Sequence, residues 1–267
     1  MRFVKLDPPG TYCHYAALWD FLRGINARTF LEVGVGSGRL AKLLVDRGLS
    51  GIGFEVSEQA FAAAERELQN DILGGRFVLS KADIFRAEPN GIDQVDLAVS
   101  MMVMEHIDDD VGFVRSIVRF IKPGGHLVVS VPGRHDRWSI EDETVGHLRR
   151  YERSELLHVL QVAGLRDVCI RSVSVPVANL LFRLGNAMIR QTGHATDARL
   201  SQMEQTHASG IREIPFKTVF PPWFRLILNP VALYPLFVLQ RLFYRSNLGL
   251  ELMALARVPE QQKGIQS

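Results

Sequence analysis

A glycine-rich turn directly after an apolar strand is the part of this chain best suited to hold a ligand. The acidic residue Glu32 lies near the end of the strand and is followed by glycines at alternate positions, Gly34, Gly36 and Gly38. Glycine reaches positive φ without a Cβ clash, so the main chain can turn sharply there and lie directly against a ligand. The pattern predicts a site for a flat, polar molecule.

Two phosphate-binding motifs can be compared with this turn. The dinucleotide motif Gly-x-Gly-x-x-Gly, counted from Gly34, requires a glycine where Arg39 stands, whereas the third glycine is Gly38. A P-loop requires a lysine after its last glycine, and none follows here. Glu32 would also repel a phosphate. The spacing therefore favours a ligand with a cationic or amino group, with a nucleotide-dependent oxidoreductase as the alternative class.

The turn resembles the first motif of class I methyltransferases that use S-adenosylmethionine, in which an acid begins the pattern Glu-x-Gly-x-Gly-x-Gly. Glu55 closes the second predicted strand, where the family's acid accepts hydrogen bonds from both ribose hydroxyls. Asp83 matches the position that receives the adenine amino group, and Ile84 would lie beside the ring. Residues 96–101 resemble the fourth strand, whose end faces the transferred methyl group, and residues 121–132 resemble the next turn and the fifth strand.

The resemblance implies S-adenosyl-L-methionine as the cofactor and covers about residues 29–175. An ordered set of landmarks is much more specific than a glycine turn alone. The residues expected to bind the cofactor are Glu32, Gly34, Gly36, Gly38, Glu55, Val56, Asp83, Ile84 and Met101. A non-catalytic binding module that keeps this site but methylates nothing remains an alternative.

Two histidines follow strands whose ends would meet at this site. His106 comes after the fourth strand, and with Glu105 it resembles the Glu-His pair of quinone O-methyltransferase relatives. His147 lies in a Gly-His-x-Arg-Arg-Tyr stretch that resembles one in a bacterial subset of these methyltransferases. Histidine titrates near neutral pH and can act as a general base for an acceptor hydroxyl, or it can contact the acceptor. We therefore predict that His106 and His147 are catalytic residues.

A second set of residues is predicted to bind the acceptor: Tyr12, Tyr15, Arg149 and Tyr151. The two tyrosines near the N-terminus lie in a predicted amphipathic helix that often closes over the cofactor in this fold. The other two belong to the loop of His147, which projects over the acceptor pocket in this fold. The alternative for that loop is a polar network that fixes it to the following helix, with Arg149 or Arg150 paired to an acid among residues 141–143.

Hard metal ligands also lie close together in this region, at Glu105, His106 and Asp108. Metal dependence occurs among relatives that methylate catechol-like oxygens. However, adjacent residues rarely hold one ion well without ligands from a distant part of the chain. We therefore expect no metal.

Short apolar runs alternate with helical patterns over residues 29–131, as in a parallel sheet with crossover helices. Strands are predicted at residues 29–33, 51–55, 76–80, 95–100, 126–131, 166–175 and 250–258. Helices are predicted at residues 38–47, 57–70 with Ser57 as the N-cap, from 108–110 to about 122–125, and at 154–164. With the resemblance, the expected fold is α/β: a doubly wound, seven-stranded, mostly parallel sheet of the Rossmann-like methyltransferase type, with a helical insertion before the last strand.

The chain is expected to contain four segments: an N-terminal helical cap at 1–28, the methyltransferase core at 29–175, a helical insertion or lid at 176–249, and a last strand with a tail at 250–267. A minimal methyltransferase joins its last two strands by a short hairpin, so the insertion is distinctive. Its longest uncharged run is 15 residues and contains one asparagine and two prolines. A membrane span needs about 20 apolar residues, so we expect none.

The charge of the chain is nearly balanced at +2, with 47% hydrophobic and 22% charged residues, which indicates a globular protein and no nucleic acid partner. A basic excess lies at residues 177–247, with eight Lys or Arg against three acids. The apolar residues at 220–245 have two interpretations. They form a lid for a lipid-like or polyprenyl acceptor at an anionic membrane surface, or a helical cap on the sheet or on a second subunit. The oligomeric state stays open.

The predicted location is the cytoplasm, with peripheral membrane contact through residues 220–245 as the further option. Two distant cysteines, Cys13 and Cys169, fit a reducing compartment, and the N-terminus lacks the apolar segment of a secretory signal. The predicted function is transfer of a methyl group from S-adenosylmethionine to a hydroxyl oxygen of a small-molecule or lipid-like acceptor. N- or C-methylation of a sugar, an amine or another metabolite is the alternative.

Overall fold

Seven strands form one sheet whose order differs from the order along the chain. The computed structural model describes residues 4–89, 93–191 and 219–260. The strands in these ranges are β1 (Val4–Lys5), β2 (Thr29–Val33), β3 (Ser50–Phe54), β4 (Phe77–Ser80), β5 (Val95–Met101), β6 (Ile121–Pro132), β7 (Arg166–Val173), β8 (Val219–Phe220) and β9 (Glu251–Arg257). All of them except β1 and β8 belong to the seven-stranded sheet. The sheet order is β4-β3-β2-β5-β6-β9-β7, with β9 antiparallel to both neighbours and the other pairs parallel. This confirms the predicted doubly wound, mostly parallel sheet.

Helices cover both faces of the sheet. They are α1 (Pro9–Leu22), α2 (Arg39–Val45), α3 (Glu58–Glu67), α4 (Gln69–Leu73), α5 (Asp110–Val118), α6 (Ile140–Val145), α7 (Arg153–Val162), α8 (Val177–Gln191) and α9 (Tyr234–Arg241). In β2, Phe30 packs with residues of α1 and α2, whereas Leu31 and Val33 pack with residues of α5 and α7. Successive side chains of a strand point to opposite faces, so the sheet is buried on both sides, as parallel sheets are.

Two predicted helix boundaries change. Residues 57–70 form two helices, α3 and α4, although the predicted N-cap is confirmed because the N–H of Ala60 donates to Ser57 Oγ at 3.4 Å. The helix predicted to stop near residues 122–125 ends earlier, at Val118. Residues 122–125 instead lie inside β6, where the pairing with β5 shifts register.

The segment predicted as a helical insertion, residues 176–249, is only partly helical where the structure describes it. It contains α8, then β8, which pairs antiparallel with β1 in a separate two-stranded sheet. Its apolar stretch is divided between a 3₁₀ helix at Pro222–Leu226 and α9. Residues 192–218 of this segment, and residues 261–267 of the predicted tail, lie outside the described residues. Over the described ranges, no helix combines the length and apolar character needed to cross a membrane.

Two polar side chains of α9 attach the insertion to α1. Gln240 is fully buried, its Nε2 donates to the Cys13 carbonyl at 2.9 Å, and its Oε1 accepts from the Ser174 N–H at 3.2 Å. Arg241 donates two hydrogen bonds to Asp20, at 2.7 and 2.8 Å. The N-terminal helix and the insertion therefore pack together as one unit beside the sheet.

Candidate active site

A cavity of about 1450 Å³ lies at the carboxyl ends of the parallel strands. The last residues of four strands line it: Val33, Phe54, Met101 and Pro132. Further parts of the wall come from the glycine turn after β2, residues 82–86, residues 141–150 and the insertion. Ligand sites of doubly wound α/β sheets form at this edge, so the cavity is the candidate active site.

The glycine turn has the backbone that its sequence predicts. Gly34, Gly36 and Gly38 have φ values of +80°, +57° and +83°. Gly36 lines the cavity, and no atom lies within 4 Å of the position that a Cβ would take, so its main chain is open to a ligand. Gly38 is not on the cavity wall; a Cβ there would lie 3.1 Å from Ala64 Cα. The third glycine therefore serves the packing of α2 on α3.

Glu55 lies on the cavity wall and joins the glycine turn to the start of α3. Its Oε2 accepts the N–H of Gly36 and its Oε1 accepts the N–H of Ser57, both at 2.8 Å. Each carboxylate oxygen has two lone pairs, so each can still accept a hydroxyl hydrogen. This arrangement fits the pair of ribose hydroxyls that the resemblance assigns to Glu55.

Glu32 lies behind the glycine turn and does not line the cavity. Its side chain is buried, and Oε2 has no hydrogen-bond partner among the described residues. Burial, and then the neighbouring charge of Glu55, raises the pKa of Glu32 well above its ordinary value. A buried acceptor without a partner fits a site where a polar ligand group or a water bound with it completes the hydrogen bonding.

The residues predicted to hold the adenine also lie at the cavity. Asp83 and Ile84 line it, and Asp83 Oδ1 accepts the N–H of Phe85 at 3.0 Å, which fixes the carboxylate in a tight turn. Seven of the nine predicted cofactor residues share this wall: Gly34, Gly36, Glu55, Val56, Asp83, Ile84 and Met101. These residues, brought from four separate chain segments, fit S-adenosylmethionine.

His106 lies in a 3₁₀ turn just after β5 and lines the cavity. Its Nδ1 is 3.1 Å from the Gly146 carbonyl oxygen, which can only accept, so Nδ1 carries the hydrogen and Nε2 carries the lone pair. Burial, and then the nearby His147, lowers the pKa of His106 to about 4. His106 is therefore a neutral ring at neutral pH.

His147 also lines the cavity, and its ring centroid is 4.9 Å from that of His106. His147 Nδ1 donates to Asp142 Oδ1 at 2.8 Å. Asp142 is fully buried and also accepts two hydrogen bonds from Arg150, at 2.8 and 2.9 Å. Asp142 therefore fixes the orientation of His147, and the polar network anticipated for this loop is formed by Arg150, not Arg149.

Glu105 lies behind the cavity wall and contacts the loops that carry the two histidines. Its main-chain carbonyl accepts the N–H of Leu148 at 2.9 Å, and its Oε1 lies 3.6 Å from His147 Nε2. The side chain is fully buried, and neither carboxylate oxygen has a hydrogen-bond partner among the described residues. Burial raises the pKa of Glu105 to about 8.

None of the four residues predicted to bind the acceptor lies on the cavity wall. Tyr151 donates to Asp110 at 3.1 Å, and Arg149 donates to the same carboxylate at 3.3 Å, so Asp110 draws both side chains away from the cavity. Tyr12 donates to a carbonyl of the insertion at 3.2 Å, and Tyr15 packs on the core below α1. At the N-terminus, residues 8–10 line the cavity instead.

Glu251, which was not predicted from the sequence, lies at the start of β9 and lines the cavity. It accepts hydrogen bonds from His14 at 2.9 Å and from Ser174 at 3.0 Å. Burial alone would raise the pKa of Glu251, but these hydrogen bonds lower it. No local pattern in the sequence identifies Glu251.

Asp142 was not predicted either, but the sequence does contain a signal for it. Ser139-x-x-Asp142 is a capping-box pattern at the start of α6.

The insertion supplies an apolar part of the wall. Its lining residues are Ala178, Leu181, Phe182, Leu184, Gly185, Phe220, Phe224 and Leu228. None carries a charge, whereas the polar lining residues come from the sheet edge and the loops around it. The cavity thus has a polar side on the core and an apolar side on the insertion.

Comparison with known proteins agrees with this site. A family profile described as "Methyltransferase domain" matches residues 11–170. Ubiquinone biosynthesis O-methyltransferase of Pseudomonas paraeruginosa is 26% identical over 119 residues, which are 44% of this chain and 50% of that protein. The protein of the same name from Nitrosomonas europaea is 25% identical over 161 residues, 55% of this chain and 68% of its own length. The chain spans about half the length of the first of these curated relatives.

A solved structure has the same fold. Phosphoethanolamine N-methyltransferase 2 of Haemonchus contortus, in complex with S-adenosyl-L-methionine, matches with a TM-score of 0.58 at 19% identity, over 96% of this chain and 54% of that chain. The family profile spans more than half of the chain, from α1 to β7. The chain therefore belongs to the methyltransferase-domain family and has the fold of S-adenosylmethionine-binding methyltransferases.

Proposed function

We propose that the protein transfers a methyl group to a hydroxyl oxygen of an apolar small molecule or lipid-like acceptor. The observation that carries the proposal is the two-sided cavity, in which residues suited to S-adenosylmethionine share one space with two histidines and an uncharged wall. When bound, S-adenosylmethionine supplies a methyl group activated by a positively charged sulfur. Glu55 would hold the ribose, Asp83 and Ile84 the adenine, and Gly36 the methionine part.

The chain's own task is to align the acceptor oxygen with the methyl group and to exclude water. His106 follows β5, whose end faces the methyl group in the family, and the ring of His147 lies 4.9 Å from that of His106. Both rings carry a hydrogen on Nδ1, so Nε2 is the nitrogen that carries the lone pair. The proposed roles are to orient the acceptor hydroxyl and to receive its proton at an Nε2 that carries a lone pair.

The apolar wall and the names of the relatives support an oxygen acceptor with a hydrophobic part. Two of the similar proteins are named ubiquinone biosynthesis O-methyltransferases. Methylation of nitrogen or carbon is the competing possibility. We place the acceptor's reactive group near the histidines and its apolar part against α8 and Phe224.

The test is incubation of the purified chain with methyl-labelled S-adenosylmethionine and fractionated lipid and small-molecule extracts. The expected product is labelled, partitions into organic solvent, and carries the label as an O-methyl group. A labelled N-methyl product would contradict the acceptor assignment while keeping methyl transfer. Binding of S-adenosylhomocysteine without any labelled product across broad extracts would favour the non-catalytic alternative.

We also propose that residues 220–245 contact an anionic membrane surface. Five large hydrophobic side chains there are more than half exposed: Trp223 at 55%, Leu226 at 79%, Val231 at 85%, Tyr234 at 57% and Leu242 at 79%. Arg225 and Arg245 are exposed among them, whereas Arg241 is engaged by Asp20. An exposed apolar patch with basic residues suits the interface of an anionic bilayer.

Vesicle flotation tests this contact in the full chain. Vesicles rich in phosphatidylglycerol should carry the protein, and the double variant Leu226→Ser, Leu242→Ser should bind markedly less. Leu73→Ser is the matched control, because Leu73 is 80% exposed but belongs to α4. Equal flotation of the double variant and the control would remove the membrane assignment.

A further inference from the structure

We propose that Glu105, His106 and His147 form a binding site for one divalent transition-metal cation, such as Zn²⁺, in the cavity wall. Each side chain offers one ligand atom, and the three atoms lie within 4.8 Å of one another. Two imidazoles and one carboxylate form a common set of metal ligands in proteins. The two histidines line the cavity and Glu105 lies directly behind them.

Both histidines are held as metal-binding histidines usually are. His106 Nδ1 donates to the Gly146 carbonyl at 3.1 Å, and His147 Nδ1 donates to the Asp142 carboxylate at 2.8 Å. A carbonyl or carboxylate on one ring nitrogen fixes the tautomer and the orientation of the ring, and it leaves the other nitrogen with the lone pair that a metal needs. Here that nitrogen is Nε2 in both rings.

Glu105 is the anionic ligand of the set. It is fully buried, and its two carboxylate oxygens have no hydrogen-bond partner among the described residues. A buried carboxylate in that condition is costly unless it takes up a proton or a cation compensates it. Glu105 Oε1 lies 3.6 Å from His147 Nε2, close to the separation of about 3.4 Å between two ligands at about 2.0–2.2 Å from a tetrahedral ion. The other ligand separations are within 4.8 Å, so the side chains must close by up to about 1.4 Å to complete the site.

The fold adds a metal ligand that is distant in the chain from Glu105 and His106. Glu105, His106 and Asp108 are neighbours in the chain, and they lacked a distant ligand. His147 supplies that ligand, whereas the Asp108 side chain is 95% exposed. Three protein ligands leave a coordination position for an oxygen from the cavity. Use of that position by an acceptor hydroxyl rests on the proposed function, but metal binding itself does not.

A Co²⁺ titration of the metal-stripped full chain, followed by visible absorption, tests the site without any assay of activity. One equivalent of Co²⁺ should give the d–d bands of an ion with nitrogen and oxygen ligands, and Zn²⁺ should displace it. Glu105→Gln and His147→Gln should each weaken binding by more than about 100-fold, because loss of a supporting partner alone costs about 10- to 100-fold. Asp108→Asn is the matched control and should keep the affinity of the parent chain.

The folded parent chain decides the question even where a variant does not fold. Failure of the parent chain to bind Co²⁺, or unchanged affinity in both folded variants, overturns the metal site. Calorimetry with S-adenosylhomocysteine on the same preparations separates the two proposals. S-adenosylhomocysteine binding without Co²⁺ binding removes the metal site alone, whereas Co²⁺ binding without S-adenosylhomocysteine binding supports the metal site and contradicts the proposed function.

Discussion

At the scale of single residues, Glu55 has a structural role in the glycine turn and a proposed role in binding the cofactor. Its oxygens accept the N–H groups of Gly36 and Ser57 at 2.8 Å, and in the proposed function they also accept the ribose hydroxyls. The first task shapes the glycine turn, and the second holds the ligand against it. One side chain thus links the fold of the turn to cofactor affinity.

Replacing Glu55 with Ala should weaken binding of S-adenosylhomocysteine by about 1.5–3 kcal/mol, the usual worth of hydrogen bonds to a charged group. Isothermal calorimetry at neutral pH measures the change. Glu58→Ala is the matched control, because Glu58 lies in the first turn of α3 but its side chain is 74% exposed. Unchanged affinity in Glu55→Ala would remove this residue from the cofactor site.

At the scale of elements, Gly38 sets how closely α2 and α3 pack. It is the N-cap of α2, has a φ of +83°, and faces the Ala64 backbone. Gly38→Ala should lower the free energy of unfolding by about 2–4 kcal/mol, because the left-handed backbone and the close contact both oppose a Cβ. Denaturant unfolding measures this loss.

Gly48 provides the control for that experiment. It also has a positive φ, +90°, but no atom lies within 4 Å of its Cβ position. Gly48→Ala should therefore cost only the backbone share, about 1–2 kcal/mol. Equal losses in the two variants would show that the packing of α2 on α3 does not depend on Gly38.

The junction of α1 and α9 should respond to acid. Burial alone would raise the pKa of Asp20, but hydrogen bonds from Arg241 and Tyr244 lower it. Its ionised form therefore stabilises the folded chain above the unfolded-state pKa of about 3.9, and this stabilisation is lost as the pH falls through the lower folded-state value. When the pH is lowered from about 5 to about 3, the free energy of unfolding should decrease more in the parent chain than in the Asp20→Asn variant.

Urea unfolding across that pH range measures the difference. Asp46→Asn serves as the control, because the Asp46 side chain is 51% exposed and pairs only with Lys42 among the described residues. That variant should keep the pH dependence of the parent chain. An identical pH dependence in Asp20→Asn and the parent chain would contradict a stabilising role for this junction.

Local patterns in the sequence were sufficient to predict the strands, and seven of the nine residues that they single out for the cofactor line one cavity. The apolar runs and the glycine turn carry their meaning within a few residues. The pairing of His106 with His147 could not be predicted, since their proximity depends on how two loops meet at the end of the sheet. For the same reason the hydrogen bonds of Arg149 and Tyr151 to Asp110 could not be predicted, because Asp110 lies about 40 residues away in the chain.

At the scale of the whole molecule, the cavity combines two parts of different origin. The core contributes the polar wall, and the insertion contributes the uncharged wall through α8 and residues 220–228. The insertion is held to α1 by Gln240 and Arg241, so the acceptor side is fixed by contacts outside the core. Cofactor binding and acceptor binding should therefore be separable by substitution.

Gly185→Trp tests that separation. Gly185 lies on α8 at the cavity wall, and no described atom lies within 4 Å of its Cβ position, so a side chain added there starts without a close contact. The KM for the acceptor should rise by about tenfold or more, because apolar pocket volume is lost. The affinity for S-adenosylhomocysteine, measured by calorimetry, should stay unchanged because the residues proposed to bind it lie on the core.

Gly185→Ala is the control. It adds only a methyl group and should leave both quantities near the values of the parent chain. If Gly185→Trp weakened S-adenosylhomocysteine binding as much as acceptor binding, the uncharged wall would belong to the cofactor, and the acceptor would have to bind elsewhere in the cavity.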